Sequence, residues 1–96
     1  MKILALEVEK TGATAEQFQP FLKIEALRVW ELYQQEIVRE AYFRADQHTA
    51  VLVLECDNSQ HARQILAELP LVEQGLIEFD LIPLTPYPGF ARLFVE

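Results

Sequence analysis

The chain is poor in the residues on which most sequence-legible chemistry depends. It has one cysteine, Cys56, so no disulfide can form within it and nothing in it requires an oxidising compartment. Its three glycines, Gly12, Gly75 and Gly89, fall in three separate turns, which leaves no glycine-rich loop to cradle a phosphate. Ser59 is the only serine and is better used as part of a helix cap than as a nucleophile. The two histidines, His48 and His61, lack a second cysteine or a metal-binding spacing, so no metal site is expected. Eight basic residues stand against fifteen acidic ones, a formal charge of −7, and the basic ones are scattered singly. Nucleic acid is therefore not an expected partner. The opening apolar run, Ile3 to Leu6, is broken at Glu7 and is too short for a signal core or a membrane span, so no membrane is expected and the cytoplasm is the expected location.

What the 96 residues do contain is a globular composition, 51% hydrophobic and 24% charged, which supports one domain over residues 1–96. Lys2 to Val8 is rich in strand-forming residues and stops at Lys10-Thr11-Gly12. Thr14 and Gln17 then have the spacing of a capping box, which opens a long helix expected to run to about Ile37, with Pro20 tolerated near its start. Arg39 to Ala45 and Thr49 to Cys56 are short strand-like runs joined as a hairpin, and Asp57-Asn58-Ser59 caps a second helix that Pro70 ends. Leu76 to Leu84 is the last strand. The order βαββαβ predicts an α+β ferredoxin-like fold, a four-stranded antiparallel sheet with two helices on one face. In the first strand Leu4, Leu6 and Val8 are expected to face the helices and Ile3, Ala5 and Glu7 to face away.

The end of the chain needs a partner. Pro83, Pro86 and Pro88 cannot continue a central strand or a helix, yet the segment they lead into carries Tyr87, Phe90, Leu93 and Phe94. Four large apolar groups gain nothing from exposure to water. With both faces of the sheet apolar, this predicts a homodimer in which two sheets pack face to face and residues 85–96 lie on the partner subunit.

The first helix holds a carboxylate in an apolar place. Phe18, Phe21, Leu22, Val29 and Leu32 form one stripe of a helical wheel, and Glu25 and Glu36 fall within its arc. A desolvated Glu25 would have a raised pKa and could act as a general acid or base; its ordinary alternative is an ion pair with Arg28, one turn on. Tyr33 lies at the edge of the stripe and Tyr42 in the second strand, and each hydroxyl can meet a ligand or simply reach water. Trp30, Leu27 and Ile37 lie off the stripe as packing residues, and His48 is expected to be a solvated turn residue.

Lys23-Ile24-Glu25-Ala26, then Ile65-Leu66-Ala67-Glu68-Leu69-Pro70-Leu71, and finally Ile82-Pro83-Leu84 before Tyr87-Pro88, resemble the corresponding segments of the muconolactone isomerase group in the dimeric α/β-barrel, ferredoxin-like superfamily. The resemblance runs from the long helix to the tail. It implies a cofactor-independent isomerase, or a related enzyme, that moves a proton on a small lactone or an aromatic-derived acid. Glu25 falls where that group has a helix glutamate tied to proton transfer, and Tyr33 or Tyr42 would assist it. Tyr87 stands where the isomerases tend to have His before the final Pro. Fold is no warrant for a reaction, and two alternatives stand beside the enzyme: a non-catalytic dimeric module that binds a small ligand or a protein, and a purely structural assembly protein.

Overall fold

The computed structural model describes residues 1–95; Glu96, the last residue of the expected tail, lies outside the described residues. The chain forms β1 (Lys2–Glu9), α1 (Ala15–Phe18), a 3-10 turn (Gln19–Phe21), α2 (Leu22–Gln34), β2 (Val38–Phe43), β3 (Ala50–Glu55), α3 (Ser59–Leu66), α4 (Pro70–Glu73), β4 (Ile77–Leu84) and a terminal 3-10 segment (Pro88–Phe94). The strands make one antiparallel sheet in the order β2-β3-β1-β4, with the helices on one face. This is the α+β ferredoxin-like arrangement. Pro83 is accommodated because β4 is an edge strand, where a missing N–H can face outward.

The core lies between helices and sheet. Ile3 and Ala5 of β1 are fully buried, as are Leu54 of β3, Leu32 of α2 and Leu69 before α4. Burying a side chain such as Leu54 contributes about 1.5–3 kcal/mol. The β1 pairings, Ile3 with Leu54 and Ala5 with Leu52, place these residues on the helix side. The expected phase of β1 is therefore reversed: Ile3, Ala5 and Glu7 face the helices, while Leu4, Leu6 and Val8 face away. Alternation defines the period of a strand but not its phase, and β1 is apolar on both faces, so either phase satisfied the pattern. On the open face Leu4 and Leu6 line up with Val53 and Val51, and Ile82 and Leu84 lie beyond them.

The single long helix is also corrected. The capping box forms as expected, with the Thr14 N–H donating to Gln17 Oε1 at 2.8 Å. Pro20, lacking an N–H, then interrupts the helical ladder, and the chain passes through a 3-10 turn before α2 begins at Leu22. At the far end α2 stops at Gln34 because Glu36 turns into the left-handed region (φ 66°) and the Ile37 N–H returns to the Leu32 carbonyl. Asn58 caps α3, its side-chain oxygen accepting from the His61 N–H at 2.8 Å. Pro70 does not end that helix, which stops at Leu66; it opens α4, where a missing N–H costs nothing.

The described chain measures 60 × 28 × 21 Å, with a radius of gyration of 15.8 Å. A compact chain of this length would have about 12.5 Å. In the terminal segment Phe90, Leu93 and Phe94 are 66%, 75% and 83% exposed. Within it Tyr87 packs edge-on against Phe90 at 5.0 Å and closes over the buried Gly89.

Candidate active site

A cavity of about 1080 Å³ opens between the arm formed by α1, the 3-10 turn and α2 and the end of the sheet where β1 finishes and β3 begins. Its roof is apolar, with Phe18, Leu22, Val29 and Trp30. Its floor includes Ala50 and Leu52 of β3, Phe79 of β4 and, at the edge, Phe43 of β2. The helices do not cover this end of β2, whose only buried residue is Val38.

Glu25 projects from the roof. Its Oε1 accepts a hydrogen bond from the Leu71 N–H at 3.0 Å. That donor is free because Leu69 is extended and Pro70 starts α4, so the first N–H groups of this short helix have no partner within it. The Leu-Pro-Leu sequence thus supplies a backbone donor to a part-buried carboxylate. Burial is the largest influence on Glu25 and raises its pKa; the Leu71 N–H opposes this, and the charge of Glu7 adds to the rise. Arg28, the ion-pair partner considered from sequence, instead reaches Glu68 at 3.3 Å and Glu31 at 3.8 Å. Among the described residues Glu25 has no ion pair.

Glu7, on the floor, is the residue that sequence reasoning missed. Its Oε1 accepts from the Ala50 N–H at 3.3 Å. Burial raises its pKa, the Ala50 N–H opposes this, Glu9 raises it further and His48 lowers it. The signal was available in the spacing Ile3, Ala5, Glu7, and it was lost with the wrong phase of β1.

The tyrosines separate. Tyr33 stands at the mouth of the cavity, half exposed, stacked on Trp30 with ring centroids 5.6 Å apart. Tyr42 borders the cavity at the outer edge of β2, but it pairs with Val51, on the strand face alternate to Ala41 and Leu52, and its hydroxyl donates to the Glu40 carboxylate. That bond raises the Tyr42 pKa. Tyr42 is therefore not brought together with Glu25 by its hydroxyl. His48 is more than a solvated turn residue: it stacks on Phe43 at 4.4 Å and borders the cavity. Glu36 lies exposed at the end of α2, and Tyr87 stays in the terminal segment. Among the described residues no three His, Cys, Asp or Glu side chains come together in a way that could hold a metal ion.

Fold and site together define a ferredoxin-like α+β domain with a ligand-sized, mostly apolar cavity and two partly buried carboxyl groups. The same fold is found in muconolactone isomerase, whose crystal structure superposes with a TM-score of 0.71 at 15% identity over 93% of each chain. It is found as well in 5-chloro-2-hydroxyhydroquinone dehydrochlorinase from Burkholderia phenoliruptrix AC1100, solved with 2,5-dihydroxybenzoquinone: TM-score 0.64 and 12% identity, over 93% of this chain and 98% of that one. The likeness to these two proteins holds at the level of fold. No protein-family model matches the chain, and no curated protein matches it in sequence. Among the described residues no helix is long and apolar enough to cross a membrane.

Proposed function

We propose that the protein is a cofactor-independent enzyme of proton transfer, an isomerase or a related activity, acting on a small oxygenated ring in the cavity beneath α2. The observation that carries this reading is Glu25: a carboxyl group in an apolar cavity, held by one backbone donor, unpaired with any cation among the described residues, and raised in pKa by its burial. In the reaction proposed, its carboxylate takes a proton from a carbon beside a carbonyl and returns it to another position on the same ring system. Tyr33 stands at the mouth, where its hydroxyl can bond a ring oxygen; Tyr42 supplies wall at the edge, its hydroxyl being engaged by Glu40. The names of the two structural neighbours support this substrate class, since one acts on a lactone and the other was solved with a hydroxylated quinone.

The reading includes self-association in the cytoplasm. A second copy covers the open sheet face through Leu4, Leu6, Val51 and Val53, and the exposed terminal segment lies across the partner.

The test is Glu25→Gln against a panel of lactones and cyclic enols, followed by exchange of ring protons for deuterium. The expected result is a loss of turnover of roughly 100-fold or more with the fold retained. Unchanged exchange would overturn the reading. A second reading, a non-catalytic small-ligand module, is favoured by the hydrogen bond that the Leu71 N–H donates to Glu25, which by itself gives the carboxyl a structural role. On that reading no compound turns over, and Glu25→Gln still binds the ligand.

A further inference from the structure

The cavity has an unusual balance of charge. Glu7 and Glu25 line it from opposite walls, Glu9 stands at its edge, and His48 is the one residue of the lining that can carry positive charge. Among the described residues no lysine or arginine lines it. The nearest ion pairs to the roof keep Arg28 on the outside, with Glu31 and Glu68. A ligand carboxylate entering here would meet two carboxyl groups, without the forked or ammonium donor that sites for organic acids use. Outside the cavity the net charge of −7 opposes the approach of an anion as well.

From this arrangement we infer that the site takes uncharged ring compounds and rejects organic acids, with Glu7 and Glu25 as the residues that decide. The inference rests on the cavity being the active site and narrows its substrates to neutral lactones, enones or phenols. An ammonium ligand is the other species that two carboxylates attract. The lining argues against it: Phe18, Val29, Trp30, Phe43 and Phe79 make an apolar chamber, in which an ammonium group loses its hydration and finds little polar surface in return. Each carboxyl also already has a backbone N–H, so neither is left wholly to a ligand.

Trp30 is the only tryptophan of the chain and lines the cavity, so its fluorescence reports occupancy directly. Three probes share one phenyl ring and a short chain on it: methyl phenylacetate, phenylacetate and phenethylamine, titrated at about pH 7.5 into the full chain. The ester is expected to bind at least about tenfold more tightly than the acid or the amine. In the variant carrying Glu7→Gln and Glu25→Gln the acid should gain about tenfold while the ester changes little. If that variant does not fold by circular dichroism, Glu7→Gln alone should show a smaller gain of the same sign. Acid binding equal to or tighter than ester, an amine that outranks both, or no response from Trp30 to any of the three would overturn the inference. The proton-transfer reading fails separately, when Glu25→Gln leaves turnover unchanged although the ester still outranks the acid.

Discussion

Replacing Glu25 by Gln should stabilise the protein above neutral pH. Burial raises the pKa of Glu25 in the folded state above its value in the unfolded chain. Between those two values the folded chain binds more protons than the unfolded one, so stability falls as pH rises through that interval. Below the unfolded value no penalty exists; above the raised folded value it is complete. The glutamine of the Glu25→Gln variant cannot ionise, has nearly the same shape, and keeps a side-chain carbonyl to accept from the Leu71 N–H now bonded at 3.0 Å. The penalty therefore disappears while the hydrogen bond remains. Because Glu25 is only part-buried and solvent screens its charge, the gain should be about 1 kcal/mol or less, which for a domain of this size moves Tm by a few degrees, about 4–8 °C per kcal/mol. Thermal unfolding of wild type and variant by circular dichroism, at equal protomer concentration and from about pH 4 to pH 8, measures this directly. The curves should separate progressively as pH rises and coincide near pH 4. A variant less stable than wild type at pH 8 would mean that the ionised carboxylate is stabilising, and the case for a poised acid or base at this position would be refuted. A gain in stability that accompanies lost turnover is what a functional charge, kept at a cost, produces.

Other outcomes follow from the same structure. The full chain should sediment at twice its 11.1 kDa at micromolar concentration, and truncation after Leu84 should shift it toward monomer; a full-length monomer would refute the role given to the tail and the open sheet face. Leu54→Ala, at a fully buried position, should cost about 2–5 kcal/mol by urea unfolding. Arg28→Ala should cost less than about 1 kcal/mol, because its pairs with Glu31 and Glu68 are at the surface; it should also leave the response of Glu25 to pH unaltered, which a direct pairing of Arg28 with Glu25 would not allow.

The order of elements was legible in the residues because each carries a local signal: a capping box at Thr14 and Gln17, an Asn58 cap, and strand-forming runs separated by turn residues. Glu25 was legible for a similar reason, since a carboxylate inside an apolar helical stripe is visible on a wheel without knowledge of what packs above it. The effect of Pro20 was underestimated. A proline near a helix start is tolerated when it occupies the first turn, but here it falls after α1 has closed its own turn, so the ladder is cut and α2 begins afresh at Leu22. The bond from the Tyr42 hydroxyl to Glu40 was not legible, because strand membership does not say which face a residue takes.

Composition, caps and hydrophobic period determined by themselves the α+β class and the βαββαβ order of this chain. Those are properties of neighbours in sequence, or of sums over the whole chain, and need no knowledge of distant contacts. The phase of β1 was decided only by the tertiary structure, through its register with β3 and β4, and with it the placement of Glu7 on the cavity floor opposite Glu25. The donor to Glu25 was likewise decided there, since Leu71 lies 46 residues away and comes into reach only when α4 packs beneath α2. The physical reason is the same in both cases: a strand apolar on both sides fits the core equally well in either phase, and a backbone N–H reveals its partner only when the elements between them have packed.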